Sequence, residues 1–150
     1  MSIAHSAMTG SELHEPKGAD SAVGGSVYVT DGLGSGSWSK RRLAITLSTA
    51  DISTADNIYF AIPFSGSLVR LVSCVGGAAS GTDSTLTLFD SGGASLASLT
   101  LDSTGAAGNI VTTSSFSSSV SQDDLVRLNW DGNLSNADEA VFTLILETND

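Results

Sequence analysis

The sequence predicts an all-β protein: a single jelly-roll β-sandwich of about eight antiparallel strands, preceded by an extended N-terminal arm. Composition is the first observation behind this. The chain has 150 residues, of which 41% are hydrophobic and only 15% charged, against about 25% charged in an ordinary soluble domain. Ser and Thr take the vacant places, at about 40 positions. Strand spacing is the second: short apolar runs recur with turn residues between them, at the ~8–12-residue interval of sandwiches and jelly rolls. The third is a change of pattern near residue 42, which divides an arm (1–42) from the sandwich (43–150).

Within the arm, four bases (Lys17, Lys40, Arg41, Arg42) cancel four acids (Glu12, Glu15, Asp20, Asp31). The opening MSIAHSAMTG has no basic start and no long apolar run, so it does not read as a secretory signal. The one strand-like run is Ser26 to Thr30, SVYVT, followed by DGLGSGS and then Trp38. Its flanks VYV and SWS suit a hairpin that brings Tyr28 near Trp38. Such a ribbon buries little surface alone, so the arm is expected to become ordered against something else.

From residue 43 the strands follow in order. Leu43 to Ser48 alternates Leu43, Ile45 and Leu47 with small residues, and NIYFAI (Asn57 to Ile62) comes next after a polar link. Pro63 to Gly66 turns the chain. SLVRLVSCV, Ser67 to Val75, is apolar on both faces apart from Arg70 and the small Ser67 and Ser73, as in a central strand covered on two sides. This places Cys74, the single cysteine, as a buried structural thiol. Ser84 to Phe89 and Ser95 to Leu101 form the clearest hairpin, around Asp90-Ser91-Gly92-Gly93. Asn109 to Thr113 is a weaker strand. Ser114 to Ser121 reads as an irregular crossover anchored by Phe116 and Val120. Asp124 to Trp130 and Glu139 to Glu147 complete the set. The expected core comprises Leu43, Ile45, Ile58, Phe60, Leu86, Leu88, Val126, Leu128, Leu144 and Leu146. Few lysines protect the sheet edges, which points to an oligomer.

Chemistry is sparse. Six Lys and Arg against 16 Asp and Glu, a net charge of −10, exclude a nucleic-acid binder, which needs basic density. No run approaches the ~18 apolar residues of a membrane span. Both histidines, His5 and His14, lie in the arm, a poor platform for a catalytic constellation. Their spacing has no metal-ligand logic. The many loop carboxylates read as turn formers rather than a hydrolytic pair. Asp131, Asn133 and Ser135 match the first three ligand positions of an EF-hand loop. The pattern then fails, with Asn136 for Gly and Phe142 for Glu. The Gly-rich stretch from Gly32 to Gly36 lacks the Lys-Ser/Thr and the helix of a phosphate loop. The expectation is a protein that is not an enzyme, with no catalytic residues, no metal and no cofactor. Of the aromatics, Trp130 reads as core or interface, and Trp38 as a protein-protein anchor. These two and Tyr28 and Tyr59 are also of the type that stacks on sugars.

Two segments resemble a known family. HEPKGADSAVGGSVYVTDGLGSGSWSK, His14 to Lys40, is similar to the N-terminal segment of small tailed-bacteriophage virion proteins. The stretch from Asp51 to Asp90 resembles the jelly-roll body of phage head decoration proteins. Its DIST link (Asp51 to Thr54), P-x-x-G turn (Pro63 to Gly66) and TLTL strand (Thr85 to Leu88) carry the likeness. The resemblance implies a capsid cement protein made in the host cytoplasm and carried on the outer capsid surface. It would be a homotrimer near local three-fold positions, with the major capsid protein as partner and neither nucleic acid nor membrane involved. The capsid-binding residues would be His14, Pro16, Lys17, Tyr28, Trp38, Lys40, Arg41 and Arg42. The rival is a glycan-binding tip or minor fibre protein of the phage tail, using the 131–138 loop.

Overall fold

The computed structural model describes residues 22, 26–30, 36–113, 116–137 and 139–148. The chain divides between Arg41 and Arg42 into two units. The first holds a hairpin of β1 (Val27–Thr30) and β2 (Gly36–Ser39). They pair antiparallel, with Tyr28 opposite Trp38 and Val29 opposite Ser37. Side chains alternate across a ribbon, so Tyr28 and Trp38 share one face while Val27 and Val29 occupy the other.

The second unit is the sandwich. Its strands are β3 (Arg42–Thr49), β4 (Asp56–Ala61), β5 (Gly66–Val75), β6 (Ser80–Gly81), β7 (Ser84–Phe89) and β8 (Ser95–Leu101). β9 (Ile110–Thr112), β10 (Ser118–Val120), β11 (Leu125–Trp130), β12 (Leu134–Ser135) and β13 (Ala140–Thr148) follow. One sheet runs β3-β13-β5, and β9 and β10 share the far edge of β5. The other runs β4-β11-β7-β8. All of these pairings are antiparallel. Leaving aside the short β6–β12 pair and counting β9 and β10 as one, the first, eighth, third and sixth strands form one sheet. The second, seventh, fourth and fifth form the other, which is the strand order of a jelly roll.

Alternation explains the core. β7 and β11 send Leu86, Leu88, Val126, Leu128 and Trp130 inward to meet Leu68, Leu71, Phe142, Leu144 and Leu146 from the facing sheet, all at most 2% exposed. The Trp130 and Phe142 rings lie 5.8 Å apart. Ile52 and Ile62, on the links either side of β4, are fully buried and close the gap between the layers. Ile45, Ile58 and Phe60 are only partly buried against this core, and Leu43 is half-buried, because β3 and β4 are edge strands.

Three expectations are corrected. Cys74 is not fully buried: it is half-buried, between inward-facing Ser73 and Val75. β5 is covered on one face only, and its run of apolar residues reflects a bulge instead. The register shifts between Ile145 and Leu146, which stand opposite Arg70 and Leu68, so Val69 is the extra residue. Leu68 and Leu71 therefore both point inward. The Ser-rich crossover is also partly regular, since Ser118–Val120 pairs with Gly66–Leu68. Finally, the 131–138 loop is not wholly irregular, because its β12 pairs with β6.

Candidate functional site

Of the residues expected to grip a capsid, His14, Pro16 and Lys17 lie outside the described residues. Tyr28 and Trp38 are brought together, their ring centroids 5.3 Å apart at an interplanar angle of 63°, an edge-to-face pair. On the other face of the hairpin Val27 and Val29 are 48% and 52% exposed. Lys40 and Arg41 are exposed. Arg42 opens β3, and its Nε donates to Glu147 Oε2 at 2.7 Å, across the β3–β13 ladder. Its charge is thus engaged within the sandwich.

Acidic residues line the loops at one end of the sandwich. The links 50–55, 76–83, 102–109 and 131–139 gather at one end, with Asp51, Asp83, Asp102, Asp131 and Glu139 among them. Asp51 and Asp102 close their own loops, while Asp83 and Asp131 reach across to other segments. Asp51 accepts from the Ser53 amide and hydroxyl and from the Thr54 hydroxyl. Asp83 Oδ1 accepts from the Ser103 amide and hydroxyl, both at 2.9 Å. Asp102 Oδ1 accepts from the Thr104 amide and hydroxyl, both at 2.7 Å. The hydroxyl donors, then the amides, hold the Asp51 and Asp102 carboxyls below the usual range.

Asp131, first residue of the EF-hand-like stretch, joins two strands. Its carboxylate accepts the Ser84 hydroxyl, the Thr85 amide at 3.0 Å and the Asn133 amide at 3.2 Å. Burial pushes its pKa up, but the Ser84, Thr85 and Asn133 donors outweigh that and leave it lowered. Beside it Gly132, at φ +72°, packs so closely on the 54–55 backbone that a Cβ would lie 2.3 Å from the Ala55 nitrogen. Trp130 Nε1 donates to Thr54 O at 2.7 Å in the same region. These residues form a tied loop bundle. Among the described residues no group of three or more His, Cys, Asp or Glu side chains is placed to hold a metal ion.

The broad sheet faces differ. On the outer face of β4-β11-β7, Tyr59 stands opposite Arg127, and Arg127 opposite Phe89. The Arg127 Cζ lies 4.5 Å from the Phe89 ring centroid, a cation-π stack. Tyr59, Leu125 and Arg127 line an open groove of about 270 Å³, walled by the β7–β8 turn at Asp90 to Gly93. Sequence reasoning singled out Tyr59 alone. The row depends on the register of three strands, two of which are far from the third along the chain, and no local signal announces it.

No family model matches the chain, and no curated protein matches it. Among solved structures, it is similar to a pilus protein of Bacillus endospore appendages, at 15% identity and a TM-score of 0.42. That match covers 73% of this chain and 89% of the other. It is also similar to a GH51 α-L-arabinofuranosidase, at 10% identity and a TM-score of 0.42, but spans only 23% of that enzyme. The VP2 capsid protein of infectious bursal disease virus matches at 13% identity and a TM-score of 0.30, over 76% of this chain and 34% of that one. At such values the likeness assigns neither family nor function.

Proposed function

We propose that the chain is a structural protein of a phage virion that decorates and cements the outer capsid surface, without enzymatic activity. The arm docks onto the major capsid protein, the sandwich stays outside, and three copies assemble near local three-fold positions. The observation that carries this reading is the hairpin. A two-stranded ribbon with four residues in each strand has no interior, yet it presents Tyr28 and Trp38 on one face and two half-exposed valines on the other. A ribbon apolar on both sides is suited to insertion between other protein surfaces, or to extension of a partner's sheet. Ordering such an arm costs about 1–2 kcal/mol per backbone residue fixed. Three arms on one trimer offset this, since avidity exceeds single-site affinity by ~10²–10⁴. The rival glycan-binding tail tip draws less support from the 131–138 loop, where Asp131 spends its carboxylate on the chain's own donors.

The test is the copy number of this chain per major capsid subunit in purified virions, by quantitative mass spectrometry. A simple ratio repeated over the whole head is expected, and deletion of residues 1–42 then abolishes attachment. A handful of copies per particle would refute decoration. Reversing Lys40, Arg41 and Arg42 to Glu is expected to weaken attachment and alter its salt dependence.

A further inference from the structure

We propose that the groove beside Tyr59, on the outer face of the β4-β11-β7-β8 sheet, is a binding site for a neutral saccharide. The inference is independent of how the arm attaches. Large exposed hydrophobics are few among the described residues, and two of them, Tyr59 at 57% and Leu125 at 48%, line this one hollow. Phe89 holds the Arg127 guanidinium by stacking, which limits its sweep through solvent. The opposite wall is equally fixed. Asp90 Oδ1 accepts the Ala94 amide at 2.8 Å, while Asp90 N–H donates to Ala94 O and Asp90 O accepts the Gly93 amide.

The ligand class follows from these groups. A cation and an anion flank the same hollow, so a ligand of either charge meets one like-charged neighbour. A hydroxyl both donates and accepts, and can satisfy Asp90 and Arg127 together. The exposed Tyr59 ring and Leu125 call for an apolar surface on the same molecule. A pyranose has both parts: a face of C–H groups and a rim of hydroxyls. At about 270 Å³ the groove lies just under the ~300 Å³ lower end of ligand pockets, which suits a small sugar. Its openness to solvent also leaves room for a longer glycan to run past.

The experiment is an amide and Arg side-chain NMR titration of the full chain with methyl β-galactoside, methyl α-mannoside, maltose, lactose and 3′-sialyllactose. Expected are saturable shifts with at least one neutral sugar, confined to residues 59, 90–93 and 125–127. Tyr59→Ala weakens that binding about tenfold or more with an unchanged circular dichroism spectrum, and Tyr59→Phe retains it. Asp90→Asn also weakens it. No saturable shift with any of the neutral sugars would overturn the proposal. So would shifts that persist in Tyr59→Ala, or sialyllactose binding more tightly than lactose.

Discussion

Replacing Asp131 with Ala tests whether this carboxylate is a structural tie rather than a cation ligand. Three donors lose their acceptor: the Ser84 hydroxyl, the Thr85 amide and the Asn133 amide. Ser84 is fully buried, so its hydroxyl is left without a partner at a cost of about 1–3 kcal/mol. Thr85 and Asn133 are exposed and recover water, so they add about 0.5 kcal/mol each. The sum is about 2–4 kcal/mol, and a sandwich of this size should lose on the order of 10 °C in Tm. The assay is urea and thermal unfolding followed by circular dichroism, with Ser84→Ala and the double variant completing a cycle. Because Ser84→Ala removes the stranded hydroxyl, the double variant should lose about 1–2 kcal/mol less than the two single losses added together. The pH profile provides a second reading. The Asp131 pKa is lowered by folding, so its contribution is present above the unfolded value near ~3.9 and is lost as pH falls through the folded one. Asp131→Ala should lack that acid-side loss. A change within ~0.5 kcal/mol of the parent would refute the reasoning. So would a rise in the parent's Tm on adding millimolar calcium, which a calcium site would produce by mass action.

Three other outcomes follow from the geometry. Ser73 is fully buried and its Oγ has no hydrogen-bond partner among the described residues. Ser73→Ala should therefore stabilise the sandwich by about 1 kcal/mol, read from the urea midpoint; a loss would reveal a hidden partner. Trp130→Phe keeps an aromatic ring beside Phe142 but strands the Thr54 carbonyl. It should cost about 1–3 kcal/mol and speed amide exchange in residues 52–55, which a purely packing role for Trp130 would not do. Asp51 and Asp102 also have lowered pKa values, set first by their hydroxyl donors. Their loop ties hold above the ordinary carboxylate value and release as pH falls through the lowered folded ones. Amide protection at residues 53, 54 and 104, taken relative to the intrinsic exchange rate at each pH, should fall as pH drops below the ordinary carboxylate value of 3.8, while that of β11 does not.

The seven strands of six or more residues were legible because each carries its own alternation or a bounding turn. β7 and β8, with Asp90-Ser91-Gly92-Gly93 between them, needed no tertiary information. β6, β10 and β12 were not legible: two or three mostly small residues hold no period, and their pairing is imposed by neighbours. The β5 bulge misled for a different reason. One extra residue at Val69 moves Leu71 onto the face of Leu68, and the pairs Leu68-Val69 and Leu71-Val72 then imitate a strand buried on both sides. That error also placed Cys74 in the core. At the candidate sites, the Tyr28–Trp38 pairing followed from a symmetric hairpin. The Tyr59–Arg127–Phe89 row did not, because a register between strands dozens of residues apart is a property of the assembled core.

Arg42 stands opposite Glu147, so the sandwich begins and finishes on neighbouring strands about 5 Å apart. A short bridge from residue 148 to residue 42 would turn it into a closed ring that can be reopened elsewhere, such as the exposed Ser91–Gly93 turn. The arm is in this sense a tether attached at a seam. A passenger sequence fused after β13 would emerge beside that tether, whereas one inserted in the links around Asp51 or Asp102 would be carried at the far pole.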